Sequence, residues 1–209
     1  MGWLPGSTQI TTDESIRISI LTCAPGDQLY SIYGHNAIRI IDSNKGTDLV
    51  YNYGTFDFNT PGFAIKFMRG KLPYVLSIAD YYDFLDEYKY YKRSVTEQVL
   101  YLDPVQQQKI MQYLAVNMLP ENRAYKYDFF MDNCATRIRD IINKNVSNFV
   151  WDESKASGKT FRQIIKEYQK VMPWTNFGID LIIGAPADRK TTLREEAFIP
   201  DYLSSAIQY

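Results

Sequence analysis

Apolar and polar residues alternate through Ile16-Arg17-Ile18-Ser19-Ile20-Leu21-Thr22, and this period of two predicts a strand. Pro25-Gly26-Asp27 ends it and predicts a short helix through Ile32. Asn36–Asp42 and Leu49–Tyr53 predict two more strands. Ser43-Asn44-Lys45-Gly46 between them supplies the turn residues of a hairpin. Pro61-Gly62 precedes a short helical stretch over 63–69. Further strands are predicted over 74–79 and 94–102, with a Tyr-rich helix over 80–91 between them. Asp103-Pro104 offers a cap and a proline at the first helical position, so a helix starts there and ends by Met118, before Pro120. The next helix starts at Asp132 or Asn133 and runs to Asn145. Residues 160–171 and 176–183 predict two more. The pattern is strand-rich early and helix-rich late, without an internal repeat or a dividing linker. One α+β domain over 1–209 is expected, with residues 1–15 a flexible lead.

Composition narrows the classes. Hydrophobic residues make up 45% of the chain and charged residues 22%, enough for a sizeable core and too much for disorder. Lys plus Arg is 23 and Asp plus Glu is 24, so the net charge of -1 gives no electrostatic footprint for nucleic acid. No apolar run approaches the roughly 18 residues of a membrane span. Met1–Thr8 has neither the basic segment nor the apolar segment of a signal peptide. There is one histidine, His35, and two cysteines, Cys23 and Cys134, which exclude a multi-histidine metal site; no metal and no cofactor are expected.

The most informative stretch is Asp132-Asn133-Cys134-Ala135-Thr136-Arg137. Cys134, Ile138, Ile141, Ile142 and Val146 share one helical face. Cys134 falls in the first turn, where the helix dipole and unpaired N–H groups favour a thiolate, the nucleophilic form. The same N–H groups can hold an oxyanion. The plain alternative is a buried small hydrophobe.

His35 follows Gly34 and opens a strand, from which an imidazole can reach a helix start and act as base and then acid. Asn52 on the next strand is the candidate orienting group. Tyr33, Tyr53, Asn133 and Arg137 flank these three and are the candidate substrate-binding residues. Cys23 ends a strand before a turn; it reads as a structural thiol near the site, and a disulfide to Cys134 is the alternative that would silence the nucleophile. Arg123, Arg137, Arg139 and Asp140 form an ion-pair network or hold an anionic head group. Tyr81, Tyr82, Tyr88, Tyr90 and Tyr91 suit a membrane interface or groove packing.

Four ordered segments carry a resemblance: Thr22–His35, Val50–Phe58, Pro120–Phe130 and Asp132–Arg137. Together they resemble the Lnb N-terminal periplasmic domain family of the bacterial envelope, over roughly residues 16–205. That family is similar in turn to permuted papain-like folds of the NlpC and lecithin:retinol acyltransferase kind, with the His strand before the Cys helix. The resemblance implies an antiparallel sheet with packed helices and a periplasmic thiol acyltransferase that N-acylates lipoproteins. It implies Cys134 as nucleophile, His35 as base and Asn52 as orienting group. Its partners would be a lipid acyl donor, a lipoprotein N-terminus and a membrane surface. Full-length members carry a signal peptide and a membrane-spanning part not found in these 209 residues, so an excised soluble domain or a short relative is expected. A cysteine peptidase or amidase with the same pair, and a non-enzymatic binding module, are the alternatives.

Overall fold

A computed structural model describes residues 15–28, 31–56, 73–169 and 183–207. Strands β1 (Ile16–Cys23), β2 (His35–Asp42), β3 (Thr47–Thr55), β4 (Pro73–Asp80), β5 (Val95–Val99) and β6 (Ala124–Lys126) build one sheet. Its order is β5-β1-β2-β3-β4-β6, and every pairing is antiparallel. The helices are α1 (Tyr81–Tyr90), α2 (Pro104–Asn117), α3 (Cys134–Asn145), α4 (Phe161–Tyr168), α5 (Leu193–Glu196) and α6 (Pro200–Ala206). The class is α+β, as the pattern predicts.

Strand alternation divides the interior in two. Ile18, Ile20, Ile38, Ile40, Tyr53 and Leu76 face the main core, which α2, α3 and α6 close with Ile110, Leu114, Ile138, Ile141 and Leu203. Leu21, Cys23, Ala37 and Val50 point the other way, against Phe84 and Tyr88 of α1. A third cluster joins Phe161, Ile164 and Ile165 of α4 to Phe198 and Ile199, with Tyr33 and Phe129 packed on it. On the α1 face Arg39 ties three strands together: it meets Asp48 on β3 through two hydrogen bonds (2.8 and 2.6 Å) and Glu97 on β5 at 2.8 Å. Its guanidinium lies 3.3 Å from the Tyr81 ring centroid.

Several expectations need correction. No helix forms over the described part of 25–32. There the Ser31 N–H donates to the Gln28 carbonyl, and the Gly26 N–H reaches forward to the Ser31 carbonyl. That forward bond closes a loop, where a helix needs bonds running back along the chain, and glycine is a poor helix former. The strand expected over 94–102 stops at Val99 because Asp103 caps α2 and draws the chain off the sheet; Asp103 and Gln106 form a reciprocal capping box there. Val146 is the extended residue after α3 (φ -109°), not part of it. The helix expected over 63–69, and all but the last residue of that over 176–183, lie outside the described residues. Strand β6 and helices α5 and α6 are additions the periodicity does not announce.

Candidate active site

Helix α3 begins at Cys134 because the preceding loop is tightly specified. Asp128 and Asp132 exchange backbone hydrogen bonds, and the Asp128 carboxylate accepts from the N–H groups of Phe130 and Met131. Asn133 caps the helix: its Oδ1 accepts from the Thr136 N–H at 2.9 Å, and Thr136 Oγ1 accepts from the Asn133 N–H at 2.7 Å. Its Nδ2 donates to the carbonyls of Phe129 (2.7 Å) and Phe198 (2.9 Å). The first turn of α3 is thereby fixed to two loops, while the helix body packs across β2 and β3. Cys134 itself is partly exposed.

His35 is the first residue of β2 and pairs with Cys23 of β1. Gly34 before it has φ +78°, and a Cβ there would stand 2.8 Å from the Cys23 carbonyl oxygen. Only glycine makes that approach, so Gly34 sets where His35 enters the sheet. On the neighbouring strand β3, Asn52 Oδ1 accepts from His35 Nε2 at 2.6 Å. An acceptor at Nε2 keeps the proton on that nitrogen and leaves Nδ1 for the thiol. The imidazole lies within side-chain hydrogen-bonding reach of Cys134.

Burial pushes the Cys134 thiol up. The charge of His35, the hydrogen bond with it, and the backbone N–H groups of Asn36 and Ala135 outweigh that and hold the thiol below its ordinary value. Burial likewise lowers His35, while the Cys134 charge and the hydrogen bonds to Cys134 and Asn52 raise it above its ordinary value. The two directions agree: each group shifts the other toward its charged form, and the pair titrates as a unit. A thiol that can pass its proton to a neighbouring imidazole is equipped to attack a carbonyl carbon, with the imidazolium then able to protonate the leaving group.

An aromatic wall flanks the pair. Tyr74 stacks on Tyr127 at 4.4 Å between centroids, and Phe56 and Tyr125 pack against Tyr74 at 5.2 and 6.1 Å. Gly54, with φ +102°, lies on β3 itself, two residues after Asn52. The point where a Gly54 Cβ would sit is 3.5 Å from His35 Cε1, 3.9 Å from Cys134 Cβ and 4.0 Å from Tyr125 Oη.

The structure thus brings Cys134, His35 and Asn52 together. Arg137 lies beside them: Asp132 grips its guanidinium through two hydrogen bonds (2.6 and 2.8 Å), and it lies 3.8 Å from the Tyr125 ring centroid and 5.5 Å from that of Tyr53. Tyr53 is buried, with its ring edge toward Tyr125 at 6.2 Å. Tyr33 packs on Phe129, and its hydroxyl accepts from Gln169 at 2.7 Å. Asn133 is buried and its side chain is spent on the cap. Arg139 pairs instead with Asp140, which also meets Arg194. Cys23 and Cys134 are both free thiols. Cys23 is fully buried beside Tyr88, and burial pushes its thiol up to about 12. Tyr125, Tyr74, Tyr127 and Gly54 are the site residues that sequence reasoning missed, although Tyr125-Lys126-Tyr127 already shows an alternating pair of aromatics. Among the described residues no group of three His, Cys, Asp or Glu side chains is placed to hold a metal ion, and no helix is long and apolar enough to cross a membrane.

No curated protein and no solved structure matches the chain. A family model described as the Lnb N-terminal periplasmic domain matches residues 7–167. That span holds the whole sheet, Cys134, His35 and Asn52, and by it the chain belongs to the Lnb N-terminal periplasmic domain family.

Proposed function

We propose that this periplasmic domain is a thiol acyltransferase that moves an acyl chain from a lipid ester to the α-amine of a lipoprotein N-terminus. The observation that carries the reading is the Cys134–His35–Asn52 arrangement, with a thiol held low, an imidazole held high and its Nε2 bound to Asn52. A His strand that precedes a Cys helix, packed on an antiparallel sheet, supports a permuted papain-like topology. The wall of Phe56, Tyr74, Tyr125 and Tyr127 supports an apolar acyl chain over a polar peptide as the group delivered to Cys134. Exposed Tyr82, Tyr90 and Tyr91 support contact with a membrane surface, where such rings partition.

The steps follow from the groups present. Cys134 Sγ attacks the ester carbonyl and a C–S bond forms. The carbonyl becomes a tetrahedral oxyanion, near the N–H groups of Asn36 and Ala135. As the C–O bond breaks, the His35 imidazolium protonates the departing alkoxide. The acceptor amine then attacks the thioester, neutral His35 takes its proton, and the thiolate leaves. Asn52 keeps the imidazole oriented throughout.

The test supplies diacylphospholipid vesicles and a lipopeptide whose lipidated N-terminal cysteine has a free amine. An N-acylated lipopeptide, lost in Cys134→Ala, is the expected product. Fatty acid released to water or a cleaved peptide, with no amide formed, would replace the transferase by a hydrolase. No product of any kind would favour a binding module.

A further inference from the structure

We propose that Tyr125 Oη donates a hydrogen bond to the oxyanion formed when Cys134 attacks a carbonyl, and that the space over Gly54 receives that carbonyl. The inference rests on the acyl-transfer reading of Cys134 and adds a catalytic residue to it.

Three observations converge. Tyr125 is buried, at 8% exposure, and among the described residues its hydroxyl has no hydrogen-bond partner. A buried O–H left unpaired is costly and calls for a reason. A hydroxyl that awaits a transient anion has one. Second, the side of Gly54 that lacks a Cβ borders the Tyr125 hydroxyl, the His35 imidazole and the Cys134 side chain together. A single point lies 3.5 Å from His35 Cε1, 3.9 Å from Cys134 Cβ and 4.0 Å from Tyr125 Oη, with no Cβ to fill it. Third, the ring is held. Tyr125 pairs with Tyr74 across β4 and β6, and Arg137, itself gripped by Asp132, covers its face at 3.8 Å. A donor fixed in place before the reaction loses nothing by reorienting during it.

Burial, and then the nearby Cys134 charge, raise the Tyr125 hydroxyl above its ordinary value, so it remains a neutral donor throughout the working pH range. It moves no proton. As charge develops on the carbonyl oxygen the O–H···O bond forms, and when the leaving alkoxide departs and the C=O is restored, the bond weakens again. The same atoms also account for the fixed position of Arg137. Its charge over the ring face strengthens the hydroxyl as a donor, which makes it a positioning residue for Tyr125.

Two reagents separate this role from a structural one. Iodoacetamide alkylates a thiolate by displacement at a saturated carbon and forms no oxyanion. A p-nitrophenyl ester of a short fatty acid must pass through one. In Tyr125→Phe the alkylation rate of Cys134 at neutral pH is expected to match the parent. Thioester formation from the ester, read as the nitrophenolate burst, is expected to fall about 100-fold. The thermal midpoint should not drop, because the change removes a hydroxyl that pairs with none of the described residues. An undiminished burst in Tyr125→Phe overturns the oxyanion role and leaves the nucleophile standing. Equal loss of alkylation and burst makes Tyr125 structural and overturns it too. A parent protein that is alkylated by iodoacetamide but never acylated by the ester overturns both this role and the acyl-transfer reading.

Discussion

His35 Nε2 donates to Asn52 Oδ1 across 2.6 Å, one strand to the next, and this bond decides which ring nitrogen faces Cys134. Without it the imidazole is free to rotate and to hold its proton on the wrong nitrogen. Asn52→Ala should therefore slow acyl transfer by about 10- to 100-fold, the usual cost of losing an orienting partner. His35→Ala should cost more, about 100- to 10,000-fold, since it removes the acid and base themselves. Steady-state rates of the two variants, with the double variant beside them, check the order. Equal losses in both would contradict it.

The protonation directions make a pH prediction. His35 and the backbone N–H groups hold the Cys134 thiol low against the opposing effect of burial. In His35→Ala burial and the backbone N–H groups remain and the cation is gone, so the thiol should rise relative to the parent. The iodoacetamide rate of the parent should persist to lower pH than that of an ordinary thiol, while the variant's profile should shift to the alkaline side. Because His35 itself is held high, the parent keeps its imidazolium to the alkaline side of an ordinary histidine's range. A variant whose pH–rate profile overlays the parent's would contradict the pairing.

Cys23 and Cys134 should differ sharply toward a thiol reagent. Cys23 is fully buried against Tyr88 and its thiol is pushed up to about 12. Folded protein should titrate one thiol with a disulfide reagent, and unfolded protein two. Cys23→Ala should retain the reactive thiol at a stability cost of about 1 kcal/mol, close to the loss of one buried methylene-sized group. A second fast thiol in the folded protein would be the contrary result.

Gly54 has a positive φ that side chains avoid, and its missing Cβ leaves open the space before Cys134 and His35. Gly54→Ala should lower stability by about 1 to 3 kcal/mol through backbone strain. It should also slow acylation while alkylation by the small iodoacetamide changes little. Equal effects on the two reagents would place the cost in the fold alone.

The sheet depends on one cation. Arg39 spans from Asp48 on β3 to Glu97 on β5 and is largely buried. Arg39→Ala leaves the Asp48 and Glu97 carboxylates without their shared partner, and should cost about 1 to 3 kcal/mol in chemical denaturation, since both carboxylates are part-exposed. A loss no larger than a surface pair's would contradict this reading.

The elements that hold the site were legible in the sequence for physical reasons. The alternation of Ile16–Thr22 and Asn36–Asp42 marks two strands, and Asp132-Asn133 marks a helix start, so the elements carrying His35 and Cys134 could be placed. Tyr125 could not. Its strand β6 is three residues long, too short for a period of two to stand out, and only its pairing with β4 brings it to Cys134. Gly54 carries no signal of its own until the side chains around it are in place. Helices α5 and α6 were missed although Thr192 and Glu195 form a capping box and Pro200 starts a helix. Both are short, with no apolar period to read. The Tyr-rich helix shows the limit of composition: Tyr88 is buried in the core while Tyr82, Tyr90 and Tyr91 face out. Only its packing on β3 and β4 decides which is which.

In the proposed reaction Cys134 carries the acyl group as a thioester. The most direct measurement is the intact mass of the protein after incubation with diacylphospholipid vesicles, with Cys134→Ala alongside. The expected result is a fatty-acyl increment on the parent that hydroxylamine removes and that Cys134→Ala never gains. An unmodified mass on a parent whose Cys134 reacts readily with iodoacetamide, or an increment that persists in Cys134→Ala, would contradict it.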